Sequence, residues 1–279
     1  MAPQDALHGW DDATTAQAYA AFARAYPMYN ATSRDLARRA RLTTSRLVID
    51  LCGGTGATAA AILDLVPHDA RVISVDNAPA MQRVGRRLLP DPRLDWIAAP
   101  AEALDDHVPA ATADAVVCNS AIWKTDTPAV FAAVRHVLRP GGRFVFNVGG
   151  DFAGVHHSDE QTARTGPSLN SLIQKMAARD YGYTPPPADP APKLPPNTIH
   201  KQLGAAQMTV LDTDVIAQHA TMAEKKAWLS IPVFARPEGD LTQAQRMDIL
   251  TKAYALTTPG TPTVTSWLVV VAQRPQEQT

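Results

Sequence analysis

Short apolar runs alternate along the chain with stretches whose apolar residues have helical spacing. The first such unit consists of an apolar run at 47–51, a glycine-rich segment at 52–56 and an alanine-rich pattern at 57–63. A short apolar run that ends at glycines indicates a buried strand, and the alanine-rich pattern indicates the start of a helix. The unit therefore predicts a strand, a tight turn and a helix.

The same alternation continues through the first half of the chain. Apolar runs bounded by polar or glycine-containing turns predict further strands at 70–76, 94–99, 113–118 and 144–148. Strands that alternate with helices form right-handed crossovers and a parallel sheet, in which ligands bind at the carboxyl ends of the strands. We therefore expect an α/β fold with a doubly wound, mostly parallel sheet.

The two ends of the chain are less regular than this central part. An apolar stripe within 11–40 predicts N-terminal helices, which Pro27 interrupts. Segment 151–166 is predicted to be a loop, and the proline-rich stretch 181–196 is expected to form no regular element. Helices are predicted at 168–179, 197–206, 221–234 and 241–257, and β-prone runs predict strands at 208–217 and 264–272.

Composition and net charge limit the kinds of molecule that the protein is expected to bind. A length of 279 residues allows one large domain or two small ones, and a formal net charge of −1 provides no basic field for a nucleic-acid backbone. The N-terminus lacks a signal-peptide pattern and no apolar run reaches membrane-spanning length, so we expect a soluble, cytoplasmic protein. Cys52 and Cys118 are expected to be buried thiols.

The glycine-rich segment carries the clearest chemical signal. Asp50 lies near the end of the apolar run and is followed by Gly53, Gly54 and Gly56. Glycine lets a ligand approach the backbone, and the helix start that follows offers free N–H groups to a carboxylate or phosphate. The spacing differs from the G-x-G-x-x-G of dinucleotide sites, and the segment lacks the lysine of a P-loop.

A second acid lies at the end of the next predicted strand. From that position, the Asp76 carboxylate can accept two hydrogen bonds from a ribose diol, which favours a nucleoside-containing ligand. Capping of the following helix is the other role open to Asp76.

Together these segments resemble the class I S-adenosylmethionine (SAM)-dependent methyltransferases, in particular the small-molecule, UbiE-like methyltransferase domains. The run that begins at Asp50 is similar to the family motif D-x-G-x-G-x-G, with Cys52 in place of the first glycine. Asp76, Asn77 and Met81 are similar to the family's acid-x-S/N-x-x-M step. Leu-Arg-Pro-Gly-Gly at 138–142 is similar to the turn that precedes the family's fifth strand.

The resemblance implies a seven-stranded, Rossmann-like sheet with an antiparallel final strand and helical lid insertions. It also implies SAM as cofactor and S-adenosyl-L-homocysteine as product. Pro100 replaces the family's adenine-binding aspartate, so a backbone carbonyl or Glu102 would have to make that contact. The residues implied to bind the cofactor are Asp50, Gly53, Gly54, Gly56, Asp76, Asn77, Met81, Ala101, Glu102 and Asn119.

Candidates for substrate binding and catalysis follow from their positions relative to the predicted strands. Lys124 could bind an anionic substrate group, while Tyr19 and Trp123 could cover or wall the pocket or simply pack in the core. His156 and His157, just beyond the fifth strand, are candidate general bases, with a solvated loop as the alternative. No metal-ligand spacing accompanies these histidines, so no metal site is expected.

The expected organisation is a single methyltransferase domain. Its parts are an N-terminal helical cap at 1–42, the SAM-binding core at 43–150, lid or substrate insertions at 151–196 and 221–262, and a final strand and tail at 263–279.

The predicted activity is methyl transfer to a small-molecule acceptor in secondary metabolism, with the acceptor atom left open between O, N and C. The absence of Asn-Pro-Pro-Tyr after the fourth strand disfavours the nucleic-acid branch of the family. Two alternatives stay open. One is an enzyme of the same fold that catalyses cyclisation or elimination. The other is a non-catalytic partner of a biosynthetic enzyme. Association as a homodimer is also open.

Overall fold

The computed structural model describes residues 9–163, 167–185 and 192–276. Seven strands form one sheet in the order β3-β2-β1-β4-β5-β7-β6. Strands β1 to β5 are parallel, and β7 lies antiparallel between β5 and β6. The predicted doubly wound sheet and the inserted antiparallel final strand are therefore confirmed. The strands are β1 Leu47–Leu51, β2 Arg71–Asp76, β3 Leu94–Ala98, β4 Ala113–Cys118, β5 Leu138–Gly149, β6 Thr209–Thr221 and β7 Pro262–Gln273.

Helices cover both faces of the sheet, as expected for parallel strands joined by crossovers. The described helices before β6 are α1 Ala13–Ala25, α2 Met28–Arg39, α3 Ala57–Leu63, α4 Pro79–Leu88, α5 Thr127–Val137, α6 Gly150–Ala153, α7 Ser158–Ala163, α8 Leu169–Tyr181 and α9 Pro196–Ala205. Between β6 and β7 lie α10 Met222–Leu229 and α11 Gln243–Tyr254. Short 3₁₀ turns occur at Leu42–Thr44, Ala101–Asp106, Ile122–Lys124 and Pro232–Phe234.

Successive residues of the central strands contribute to opposite sides of the sheet. Val48 packs on the face covered by α2 and α3, whereas Ile49 packs on the face that holds Phe131 of α5. Because side chains alternate along a strand, a strand buried on both faces must be apolar throughout. This explains the uninterrupted apolar runs in the sequence.

The turn predicted at 138–142 is built into the beginning of β5. Leu138 pairs with Ala113 and Arg143 pairs with Ala115, so four residues of β5 stand opposite one residue of β4. Gly141 has a φ of +77°, and its N–H donates to the carbonyl of Arg274 at 2.9 Å. The Pro-Gly-Gly sequence thus forms an irregularity that brings β5 into register with β4.

The segment after β5 is more regular than the sequence indicates. The predicted loop at 151–166 contains α7 and most of α6 in its described part, so that prediction is wrong. The described residues of the proline-rich stretch, 182–185 and 192–195, form no helix or strand, while 186–191 lie outside the described residues. Helices α8, α10 and α11 pack together in a separate hydrophobic cluster. Within the described part of the chain, no helix combines the length and apolarity needed to cross a membrane.

Candidate cofactor and acceptor site

A cavity of about 380 Å³ opens at the carboxyl ends of β1, β2 and β4. The order of the sheet reverses between β1 and β4, and this is the place where open α/β sheets bind ligands. The volume falls within the range of small-molecule sites. The cavity is lined by Trp10, Tyr19, Tyr29, Cys52, Gly53, Gly54, Ala57, Thr58, Val75, Asp76, Asn77, Ala78, Met81, Ala99, Pro100, Ala101, Glu102, Asn119, Ser120, Ala121, Lys124, Thr125, Asp126 and Ala129.

The glycine loop presents bare backbone to this cavity. Gly54 has a φ of +56°, and a Cβ atom built on it would lie 3.3 Å from Cε of Met81. At Gly53 a Cβ atom would overlap the Ser74 hydroxyl and the Asp50 carboxylate. Gly53 is therefore restricted to glycine by its surroundings and Gly54 is favoured by its positive φ, and Gly54 leaves space where a ligand can contact the main chain.

Gly56 has a different role from its neighbours because it does not line the cavity. It precedes α3 with a φ of +88°, and a Cβ atom on it would lie 2.8 Å from the Trp96 ring. Gly56 thus permits the close approach of the loop to β3 and fixes where α3 begins.

Asp76 is the strand-end acid at the wall of the cavity. Its Oδ2 accepts a hydrogen bond from the Gly54 N–H at 2.9 Å, and its Oδ1 accepts one from the Ala78 N–H at 2.8 Å. Burial raises the pKa of Asp76, while these two N–H groups and the positive charge of Lys124 oppose the rise. Each carboxylate oxygen can accept more than one hydrogen bond, so both retain capacity for a diol.

Asp50 lies beneath the loop and not at the cavity surface. Its Oδ2 accepts hydrogen bonds from the Ala59 N–H at 3.1 Å and the Ser74 hydroxyl at 3.2 Å. Its Oδ1 is buried and has no hydrogen-bond partner among the described residues. Burial raises the pKa of Asp50 to about 7, with the field of Asp76 adding to the rise. Asp50 therefore orders the loop and the first turn of α3 from below.

The raised pKa of Asp50 predicts a pH-dependent stability of the ligand-free protein. The folded state holds the Asp50 proton more tightly than the unfolded chain, so the free energy of unfolding falls as the pH rises from about 4 to about 7. Each pKa unit corresponds to about 1.4 kcal/mol. We expect Asp50→Asn to gain stability relative to the wild type across this interval, measured by urea unfolding at several pH values. A difference that stays constant with pH would show that the pKa of Asp50 is not raised in the folded protein.

Another part of the cavity wall is built by Asn77, Met81 and the segment after β3. Ala101 lines the cavity, and Oε1 of Glu102 accepts a hydrogen bond from the Asp126 N–H at 2.8 Å. Glu102 thus joins the segment after β3 to the segment before α5. Pro100 also lines this wall and offers no N–H group to a base.

Asn119 connects three elements below the cavity. Its amide nitrogen donates to the Ser33 hydroxyl at 2.9 Å and the Thr32 hydroxyl at 3.1 Å, both on α2. Its Oδ1 accepts a hydrogen bond from Asn147 of β5 at 2.9 Å. Because the side chain is occupied in this way, Asn119 fixes α2 against the ends of β4 and β5 while it also borders the cavity.

An aromatic wall formed by Trp10, Tyr19 and Tyr29 covers the cavity from the N-terminal side. The Tyr19 ring lies 5.8 Å from the Trp10 ring and 4.7 Å from the Tyr29 ring, between centroids. The Tyr29 hydroxyl accepts a hydrogen bond from the Trp228 indole N–H at 2.9 Å, so the segment between β6 and β7 supports the wall from behind. Burial raises the pKa values of both tyrosines, which keeps both phenols neutral at physiological pH.

Sequence reasoning singled out Tyr19 but missed the other two aromatic residues of this wall. Tyr29, Thr32, Ser33 and Leu36 are all buried and follow helical spacing, and this pattern could have identified the inner face of α2. Trp10 precedes the first described helix, and no periodicity points to its role.

Lys124 enters the cavity from the 3₁₀ turn after β4. Its Nζ lies 4.0 Å from the centroid of the Trp10 ring and 5.9 Å from that of the Trp123 ring. Burial lowers the pKa of Lys124 to about 8, against the opposing effects of Cys52, Asp76 and Cys118. Lys124 is thus a lysine with a lowered pKa that lines the same cavity as Asp76.

Trp123 faces away from the cavity that Lys124 enters. Its ring stacks on Phe152 of α6 at 4.8 Å and lies 6.4 Å from the Trp267 ring of β7. Trp123 does not line the cavity and packs against the main hydrophobic core. It supports the turn that carries Lys124.

His156 and His157 lie between α6 and α7 and are not among the residues that line the cavity. Nδ1 of His156 lies 3.2 Å from Oε2 of Glu160, and Nδ1 of His157 accepts a hydrogen bond from the Asp159 N–H at 3.2 Å. Potential ligand atoms of Asp151, His156 and Glu160 lie within 4.8 Å of one another, although the histidine and the glutamate already pair. The structure thus groups both histidines with carboxylates and not with the glycine loop.

The comparisons with known proteins concern mainly the part of the chain that builds this site. Residues 48–142 match the family described as Methyltransferase domain. The Ubiquinone/menaquinone biosynthesis C-methyltransferase UbiE of Coxiella burnetii is 35% identical over 107 residues, which cover 37% of this chain. The match spans 42% of that relative's own length, so less than half of the relative is represented.

Two solved structures illustrate the similarity of fold. A geranyl diphosphate methyltransferase in complex with SAM has a TM-score of 0.51 and 14% identity, covering 88% of this chain and 85% of the other. The [4+2]-cyclase SpnF has a TM-score of 0.56 and 12% identity, covering 88% of this chain and 81% of the other. The match over 48–142 and the similarity to UbiE thus concern the segment that carries the glycine loop and the strand-end acid, and the solved structures share the fold of this chain.

Proposed function

We propose that the protein transfers a methyl group from SAM to a small-molecule acceptor. The observation that carries this proposal is the joint position of the Gly54 backbone and the Asp76 carboxylate at one cavity, at the switch point of the sheet. The bare backbone fits the amino-acid part of SAM and the carboxylate fits its ribose. Asn77, Met81 and Ala101 would border the adenine, with Pro100 leaving that contact to backbone carbonyls.

In this proposal the chain's own residues bind and orient the reactants. SAM supplies an activated methyl group on a sulfonium when it is bound. Asp50, Gly53 and Gly56 shape the loop, while Asn119 fixes α2 over it. The aromatic wall excludes water and offers π-faces, which attract cations such as a sulfonium. Positioning of this kind accounts for much of the rate of a bimolecular transfer.

A small acceptor fits the size and setting of the cavity. The aromatic wall closes one side, and the formal net charge of −1 offers no field that would attract nucleic acid. Tyr19 and Lys124 would contact the acceptor, and Trp123 would support Lys124 from behind. We further propose that segments 151–196 and 221–262 restrict access to the acceptor and that the enzyme acts in the cytoplasm in secondary metabolism. A homodimer or a biosynthetic partner protein remains part of this proposal.

The proposal is tested by SAM binding and by product analysis on the same preparation. Calorimetric titration should show binding of SAM and of S-adenosylhomocysteine to the wild-type protein. Incubation with SAM and a panel of small phenols, amines and enolisable ketones should give a product heavier by one methyl group, detected by mass spectrometry. A protein that binds neither compound would contradict the proposal.

A cyclisation or elimination is the second candidate, because a [4+2]-cyclase shares the fold. The two candidates differ in the fate of the cofactor. A methyltransferase converts SAM to S-adenosylhomocysteine in proportion to product, whereas a cyclase or eliminase changes its substrate without consuming SAM.

The histidine hypothesis yields a separate prediction. Because His156 and His157 lie outside the cavity lining, we expect His156→Ala and His157→Ala to bind SAM as the wild type does. If one of them is the general base, its alanine variant should lose about 10²–10⁴-fold in turnover. Turnover at the wild-type level in both variants would remove the pair from catalysis.

A further inference from the structure

The Lys124 side chain lines the cavity without an ion pair to any carboxylate of the described residues. Its Nζ lies 4.0 Å from the centroid of the Trp10 ring, and among the described residues it makes no hydrogen bond or ion pair. A lysine ammonium is strongly hydrated, so burial beside an aromatic ring disfavours its charged form. The amine faces the same cavity as Asp76 and the glycine loop.

The charged and titratable groups around Lys124 do not cancel the lowering of its pKa by burial. Asp76 at the end of β2, Cys52 after β1 and Cys118 of β4 favour the charged form, while Lys193 disfavours it. Burial outweighs them, and the pKa of Lys124 falls to about 8. A substantial fraction of the side chain is therefore a neutral amine in mildly alkaline solution, at a position that lines the cavity.

We propose that Lys124 is the general base of the methyl transfer and that the acceptor presents an acidic hydroxyl group of the phenol or enol class. This inference rests on the proposed function and specifies its acceptor. Trp10, Tyr19 and Tyr29 give the cavity an aromatic lining that suits an aromatic or unsaturated acceptor, and Nζ of Lys124 lies 4.0 Å from the centroid of the Trp10 ring. A phenol ionises near pH 10, close enough to the lysine for proton transfer between them.

The proton transfer and the methyl transfer need no reactant other than the acceptor, SAM and water. The proton of the acceptor hydroxyl passes to the lone pair of the Lys124 amine, and the oxygen keeps the electron pair of the O–H bond. That pair forms the bond to the methyl carbon, whose former bond to sulfur leaves its electrons on sulfur. Lys124 then returns its proton to water.

Three variants separate this role from the alternatives. Lys124→Met removes the amine with little change in volume. Lys124→Arg keeps a positive charge but cannot accept a proton, because a guanidinium is always protonated. Lys175→Met serves as the control, because Lys175 is exposed on α8 and far from the cavity lining.

The first readout is the ionisation of 4-nitrophenol, used as a probe with protein saturated with S-adenosylhomocysteine. At a pH where the free probe is neutral, the wild type and Lys175→Met should give the absorbance of bound nitrophenolate, and Lys124→Met should not. Equal absorbance in the wild type and Lys124→Met, or none in either, would overturn the assignment of an acidic hydroxyl acceptor.

The second readout is the rate of anisole formation from phenol as a function of pH, because free phenol stays neutral until the pH approaches about 10. The wild-type rate should rise to a plateau above about pH 8, and both Lys124 variants should lose about 10²–10⁴-fold. If Lys124→Arg kept the wild-type rate, Lys124 would not be the general base. Its side chain would then act only as a cation that binds an anionic group. SAM affinity is measured in parallel by calorimetry. If the wild-type protein binds no SAM, the proposed function itself is overturned. If Lys124→Met keeps normal SAM affinity and unchanged turnover, only this inference is overturned.

Discussion

Gly54→Val should abolish measurable SAM binding while most of the fold survives. The position has a φ of +56°, which costs a side chain about 1–2 kcal/mol and a β-branched one more. The added branches would occupy the space beside Met81 where the ligand must approach the backbone. We expect a loss of at least about 100-fold in affinity, equivalent to about 2.8 kcal/mol, in a calorimetric titration.

Gly182→Val is a matched control for the cost of placing a β-branched side chain at a positive φ. Gly182 ends α8 with a φ of +63°, and a Cβ atom on it would have no neighbour within 4 Å. It should lower the free energy of unfolding and leave SAM affinity unchanged. Gly54→Ala should fall between the wild type and the valine variant, because Met81 is flexible enough to yield to one methyl group. Normal affinity in a folded Gly54→Val would remove the loop from the site.

Asp76→Ala should weaken SAM binding by about 100-fold or more. It removes two charge-assisted hydrogen bonds to the ribose, each worth about 1.5–3 kcal/mol, and about 1.4 kcal/mol corresponds to a factor of ten. It also releases the Gly54 and Ala78 N–H groups that the carboxylate holds in the folded protein. Calorimetric titration measures the loss directly.

Asp105→Ala provides the control for removal of an acid near the site. Asp105 is exposed in the turn after β3 and does not line the cavity, so its loss should not change affinity. Thermal unfolding of both variants separates a disordered loop from a lost contact. Equal SAM affinity in the wild type and a folded Asp76→Ala would mean that Asp76 only holds the Gly54 and Ala78 N–H groups in place.

The sequence predicted the sheet, and it could place the glycine loop and the strand-end acid at one edge of it, because both depend on local patterns. Buried parallel strands must be apolar on both faces, and glycines with positive φ or close neighbours leave a direct mark in the sequence. The carboxyl ends of parallel strands meet at one edge, so Gly54, Asp76 and Asn119 could be brought together by reasoning alone.

The acceptor side depends on packing between distant segments and could not be predicted in the same way. Trp10 and Lys124 are far apart in the sequence, and no periodicity encodes the contact between them. Trp123 and Lys124 are adjacent in sequence, but the 3₁₀ turn directs one to the core and the other to the cavity. The two short helices that flank His156 and His157 are too brief for hydrophobic spacing to reveal.

The central claim is that this cavity binds SAM and its product, and a crystal structure with S-adenosylhomocysteine tests it most directly. The account predicts electron density between the glycine loop and the aromatic wall, with the ribose hydroxyls hydrogen-bonded to Asp76 and the sulfur open toward Lys124. Density at any other place, or an empty cavity in protein saturated with the ligand, would contradict it.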